Sequence, residues 1–118
     1  MNENVIITEE YRQVIAKCKN LIEVSSKIQL MDLCTHIIST VTTHNVRTQT
    51  PCTSQQIIDY GMLKGLPFEA ELNAEILDYF IAFTALSGLL KRKYVNIYDE
   101  NNQIIGNQIN YRLNIFKF

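Results

Sequence analysis

Four side chains with metal-binding or nucleophilic chemistry fall in the stretch 34–52: Cys34, His36, His44 and Cys52. Zinc sites favour short paired spacings such as C-x2-C or H-x3-H, and neither occurs here. On a helix, Cys34 and His36 point about 200° apart, at ~100° per residue. The set reads as a core cysteine with surface histidines, so the sequence implies no metal and no cofactor. No Gly-rich phosphate loop, HExxH or G-x-S-x-G is present, and no Cys/His pair is positioned for nucleophilic catalysis. The chain is expected not to be an enzyme, and no small-molecule substrate is evident.

The charged residues are more informative. Eleven Lys and Arg face twelve Asp and Glu, a net charge of -1, which argues against a histone-like coat or a polybasic membrane anchor. By segment the balance breaks up. Residues 1–64 carry six bases and six acids, 65–90 four acids and no base, and 91–118 five bases and two acids. Glu71, Glu75 and Asp78 stand at i, i+4, i+7, on one helix face. Complementarity to the helix dipole accounts for Glu69 and Glu71 but hardly for Asp78. Lys91, Arg92, Lys93, Arg112 and Lys117 follow as a basic group.

The elements that must carry these groups fit one domain of 118 residues. Apolar runs are short, as in Val5-Ile6-Ile7 and the five residues Tyr79-Phe80-Ile81-Ala82-Phe83, too short to span a membrane. The N-terminal residues lack the pattern of a signal peptide. Three cysteines without a repeated spacing suit free thiols in a cytoplasmic setting. Cys18 and Cys34 lie on apolar stripes, whereas Cys52 beside Pro51 is expected in an exposed loop.

A helix is predicted from a Thr8 cap to about residue 24, with Tyr11, Val14, Ile15, Cys18, Leu21 and Ile22 in helical rhythm. A second runs from about Ile28 to His44 on Leu30, Met31, Cys34, Ile37, Ile38 and Val41. After a loop, Thr53-Ser54-Gln55-Gln56 fits a capping box for a short helix over 54–64, closed by Gly65 and Pro67. A fourth helix is predicted over 69–88, with Leu72, Ile76, Tyr79, Phe80, Phe83 and Leu86 on one stripe. Its second apolar side, Ala74, Leu77, Ile81 and Ala85, calls for cover from the N-terminal helix or another chain. Beyond Lys93 the period drops to two, giving a β-hairpin around Asp99-Glu100-Asn101-Asn102, with a bulge near Ile104-Ile105-Gly106-Asn107.

Helix, loop, helix, Gly/Pro turn, longer helix and hairpin, in that order, resemble the winged helix-turn-helix superfamily. Thr53-Ser54-Gln55-Gln56-Ile57-Ile58 looks like the capped start of its second helix. Phe83 through Arg92 looks like its exit into the first wing strand, and Tyr111-Arg112-Leu113 like its closing strand. The resemblance covers roughly 28–115. It implies a mainly α fold with a C-terminal β-hairpin: a winged-helix domain over 28–118 with an N-terminal helix extension over 1–27. It also implies nucleic-acid work or a protein-docking descendant of it.

The last helix of such a motif usually enters the major groove, yet here it carries no Lys or Arg before Lys91. The leading expectation is therefore a non-enzymatic regulator in transcription or DNA replication that acts by protein contacts, with a partner protein or as a homodimer. Glu71, Glu75, Asp78, Leu77 and Ile81 would form its docking face. The alternative is direct binding of double-stranded DNA through Lys91, Arg92, Lys93 and Arg112. A DNA-mimic inhibitor is a weaker third.

Overall fold

The computed structural model describes residues 9–60 and 72–118. Helix α1 spans Glu9–Val24 and buries Val14, Cys18 and Leu21, an i, i+4, i+7 row. Ser26 then caps α2 (Lys27–Thr48) through a capping box. Its hydroxyl accepts from Gln29 N at 3.1 Å, and the Gln29 side chain accepts from Ser26 N at 2.8 Å. Helix α2 runs four residues past the expected end at His44, to a left-handed stop at Gln49 (φ 55°). The β-branched run that argues against helix is itself buried, at Thr40 and Val41, and packing outweighs its low propensity. The row that reaches the core is Leu33, Ile37 and Val41. Met31, expected on the buried stripe, is exposed.

Strand β1 is two residues, Cys52–Thr53, and follows Pro51 where a loop was expected. Thr53 also caps α3 (Ser54–Asp59). It accepts from Gln56 N at 3.1 Å, and the Gln56 side chain accepts from Thr53 N at 2.9 Å. The expected remainder of this helix, its Gly65 and Pro67 stop, and positions 69–71 of the next helix lie outside the described residues, as does Thr8.

Helix α4 is Ala74–Ala82, shorter at both ends than the expected 69–88. Leu72 and Asn73 are not helical, and Asn73 Oδ1 accepts from Ile76 N at 3.0 Å as an N-cap. At the other end Thr84 turns its hydroxyl to Leu86 N and starts a separate 3-10 turn, Ala85–Gly88. Both are short polar side chains that compete with the helix for its own backbone groups. Helix α1 packs along α4, with Tyr11 edge-on to Tyr79 of the first stripe at 6.4 Å, whereas Ile81 of the second apolar side lies beside Leu90 and Arg92.

Strands β2 (Leu90–Tyr98) and β3 (Ile104–Leu113) form the hairpin. The register runs from Leu90↔Leu113 to Ile97↔Gly106 and then shifts to Tyr98↔Ile104, which leaves Ile105 as the bulged residue. Asp99 organises the turn: its Oδ1 accepts from Asn101 N and Gln103 N, and Asn102 takes a positive φ of 59°. Strand β1 pairs with β3 at Cys52↔Tyr111 and Thr53↔Asn110, giving an antiparallel sheet of order β1-β3-β2. The architecture is thus mainly helical with a small three-stranded antiparallel sheet. One apolar cluster joins residues of α1, α2, β1, α3, α4, β2 and β3. Among the described residues, no helix is long and apolar enough to cross a membrane.

Cys52 was expected to be exposed. The strand pairing with Tyr111 instead puts its side chain fully inside, and burial pushes its thiol up to about 11. The ordinary cysteine value against which this rise is taken is 9.0. Below that both states hold the proton and stability is unaffected. Between there and about 11 the unfolded chain releases a proton that the folded chain keeps, so stability falls as pH rises. Urea midpoints measured from pH 8 to pH 11 are expected to decline more steeply for the native chain than for Cys52→Val. Equal slopes would contradict this.

Candidate nucleic-acid interface

Residues directly opposite each other in an antiparallel ladder share a sheet face. The register therefore sorts the basic group into two sets. Cys52, Tyr111 and Arg92 form one cross-strand row on the face toward the helices. Lys91 with Arg112, and Lys93 with Asn110 and Thr53, form rows on the opposite, outward face. The run Lys91-Arg92-Lys93 is thus split between the two sides of the sheet.

On the inner side the row closes on Asp78 of α4. Asp78 Oδ2 accepts from Arg92 Nη1 at 2.7 Å and from the Tyr94 hydroxyl at 2.9 Å. Its Oδ1 accepts from the Tyr111 hydroxyl at 2.7 Å. The hydrogen bond to Asp78 strengthens the hold of Arg92 on its proton. Burial, and after it the bond to Asp78, pushes the Tyr111 and Tyr94 phenols up. The Arg92 guanidinium also lies 5.6 Å from the Tyr94 ring centre, within cation–π range.

This arrangement corrects the expected docking face. Asp78 is buried because three donors from the sheet satisfy its carboxylate. Leu77 and Ile81 are core residues at 0% and 2% exposure, since α4 is covered on both apolar sides. Glu75 is exposed in the first turn of α4, and Glu71 lies outside the described residues. The three carboxylates expected on one solvent face therefore do not form one.

On the outer side, Lys91, Lys93, Asn110 and Arg112 line a cleft of about 330 Å³ together with Pro51, Phe118 and part of Arg92. None of these lining residues is acidic. Gln108 Nε2 donates to Asn110 Oδ1 at 3.1 Å, steadying that side chain. Arg112 Nη1 donates to the Leu113 carbonyl at 3.4 Å and to the Phe116 carbonyl, which ties residues 113–116 to the sheet. The Phe116 and Phe118 rings stack, with centres 5.2 Å apart. Lys91 and Lys93 are exposed, and their Cα atoms are about 7 Å apart, two steps along a strand. Strand alternation in the sequence signals the split of the basic run. The contribution of Phe118 depends on how the chain folds back after β3, for which the local sequence carries no pattern.

The histidines and cysteines do not converge. His36, expected on the surface, is buried on α2, where its Nε2 donates to the Ile57 carbonyl at 2.8 Å. His44 Nε2 is 3.2 Å from Thr50 Oγ1. Among the described residues, no group of three or more His, Cys, Asp or Glu is placed to hold a metal ion. A separate apolar groove of about 500 Å³ lies between α1, α2 and the end of α4, edged by Ile22, Met31 and Phe83. No protein-family model matches the chain, and neither a curated protein nor a solved structure does.

Proposed function

We propose that this chain is a non-enzymatic winged-helix protein of transcription or DNA replication, and that it grips the phosphate backbone of nucleic acid with the outward face of its sheet. The observation that carries the reading is the pair of adjacent rows that present Lys91, Lys93 and Arg112 together with no acidic residue among them. The winged-helix part is supported by the order of elements and by the way β1 joins the hairpin to the helices. A groove-reading role for α4 has no support: its outward residues include Glu75, and its other sides are occupied by α1 and the core. Phosphate contacts fix position and carry little sequence information, so weak sequence preference is expected.

The test is fluorescence anisotropy with labelled oligonucleotides across a salt series. Three phosphate contacts give a slope of log K against log salt of about -2.7 on duplex, and fewer contacts flatten it in proportion. Lys91→Glu with Lys93→Glu is expected to weaken binding tenfold or more and to bring the slope to about -1. The thermal melt should hardly move, because both side chains are in solvent. Unchanged affinity and slope in the double variant would rule the reading out.

A further inference from the structure

The cleft holds an aromatic ring as well as cations. Phe118 lines it beside Lys91, Lys93 and Arg112. One side of the Phe118 ring is stacked on Phe116, with an interplanar angle of 24°, and the residue remains 38% exposed. The pair is not a loose end, because Arg112 holds the Phe116 carbonyl. The same guanidinium therefore anchors the aromatic pair and contributes charge to the cleft. At about 330 Å³ the cleft is at the small end of ligand-sized sites.

A duplex hides the faces of its bases inside the stack and offers a protein only phosphates and groove edges. An exposed aromatic ring on a basic floor suits a base whose face is free. Grooves that track a single strand combine these two features, with cations for the backbone and rings for the bases. We infer that the outward sheet face takes single-stranded nucleic acid in preference to duplex, with an unpaired base stacked on Phe118 and neighbouring phosphates on Lys91, Lys93 and Arg112. This rests on the phosphate-binding reading above and names the ligand class for the same site.

The chain contains six tyrosines but no tryptophan, so Phe118→Trp places in the cleft a single tryptophan that can be excited selectively at the red edge of the aromatic band. Oligo(dT), oligo(U) and a duplex of equal length serve as probes at one salt concentration. Single strands are expected to bind about tenfold tighter than duplex, and the oligo(dT) and oligo(U) arms distinguish DNA from RNA. Phe118→Ala should cost the single strand about tenfold and leave duplex binding within about twofold. Phe118→Trp should keep the affinity and lose fluorescence as the base stacks. Duplex binding equal to or tighter than single-strand binding, or equal losses on both in Phe118→Ala, would overturn the inference. If Lys91→Glu with Lys93→Glu still weakens both ligands in that case, the phosphate-binding reading survives alone. If no probe binds the native chain, both fail.

Discussion

Replacing Asp78 with alanine is expected to destabilise the fold by about 3 kcal/mol and to lower its melting temperature by about 10 °C. The loss is shared unequally among the three donors, and the Tyr94 residue, 61% exposed, can return to water. The Arg92 side chain is 41% exposed and can return to water once its partner is gone. The Tyr111 hydroxyl cannot. Tyr111 is fully buried, and without Asp78 Oδ1 its O–H loses the acceptor it has at 2.7 Å. An unpaired buried hydroxyl costs about 1–3 kcal/mol, and a lost hydrogen bond to a charged group about 1.5–3. Asp78→Asn keeps an oxygen for Tyr111 but surrenders the charge, so it should fall near halfway. A chain of this size has only about 5–15 kcal/mol in total, which makes the change easy to read by urea denaturation. A loss below about 1 kcal/mol, typical of a surface ion pair, would mean that the three donors do not depend on this carboxylate.

Asn45→Ala is expected to cost a similar ~3 kcal/mol. Asn45 has no solvent exposure and joins two backbones. Its Oδ1 accepts from Leu113 N at 3.0 Å, and its Nδ2 donates to the Thr50 carbonyl at 3.0 Å. Alanine leaves an N–H and a carbonyl without these partners, each worth about 1–3 kcal/mol if kept from water. Asn45→Asp retains the acceptor for Leu113 but points a carboxylate oxygen at the Thr50 carbonyl, so it should not rescue stability. Equilibrium unfolding of the two variants checks this; an aspartate variant as stable as the native chain would show that the Thr50 bond contributes nothing. Because Leu113 ends the strand that carries Arg112, the bond from Leu113 N to Asn45 Oδ1 fixes the basic face relative to α2.

Local chemistry in this sequence reads well. The Thr53 capping box, the break between the first two helices, the hairpin turn and the bulge are each decided by residues a few positions apart, and each is present in the structure. What depends on distant partners was not legible. Helical spacing places Asp78 with Glu71 and Glu75, but it says nothing about Arg92, Tyr94 and Tyr111 arriving from the sheet. Their own spacing was a usable signal, since Arg92 and Tyr94 are two apart on a strand and so share a face. His36 and Cys52 looked like surface residues because a carbonyl on α3 and a two-residue strand are invisible in the sequence around them. The short form of α4 is partly legible: Asn73 and Thr84 are strong capping residues, although the apolar stripe that runs across them favours a continuous helix. The basic group was recognisable, but its division between the two sides of the sheet required the register.

Strand β1 is only two residues long, yet it has a bearing on how the chain folds. The helix caps and the hairpin bring together residues close in sequence, and such pieces form within microseconds. The root of the hairpin is different. Leu113 meets Asn45 across 68 positions, and Tyr111 meets Asp78 across 33 and pairs with Cys52. These contacts need loops to close first, though the entropic cost rises by only about 0.6 kcal/mol per doubling of loop length. Contacts of long sequence separation slow folding, so the rate is expected to be set less by any helix than by the search that brings Tyr111 to Cys52 and Asp78. Until that search ends, the cations of the outward face, all carried on the hairpin, have no fixed position relative to the helices.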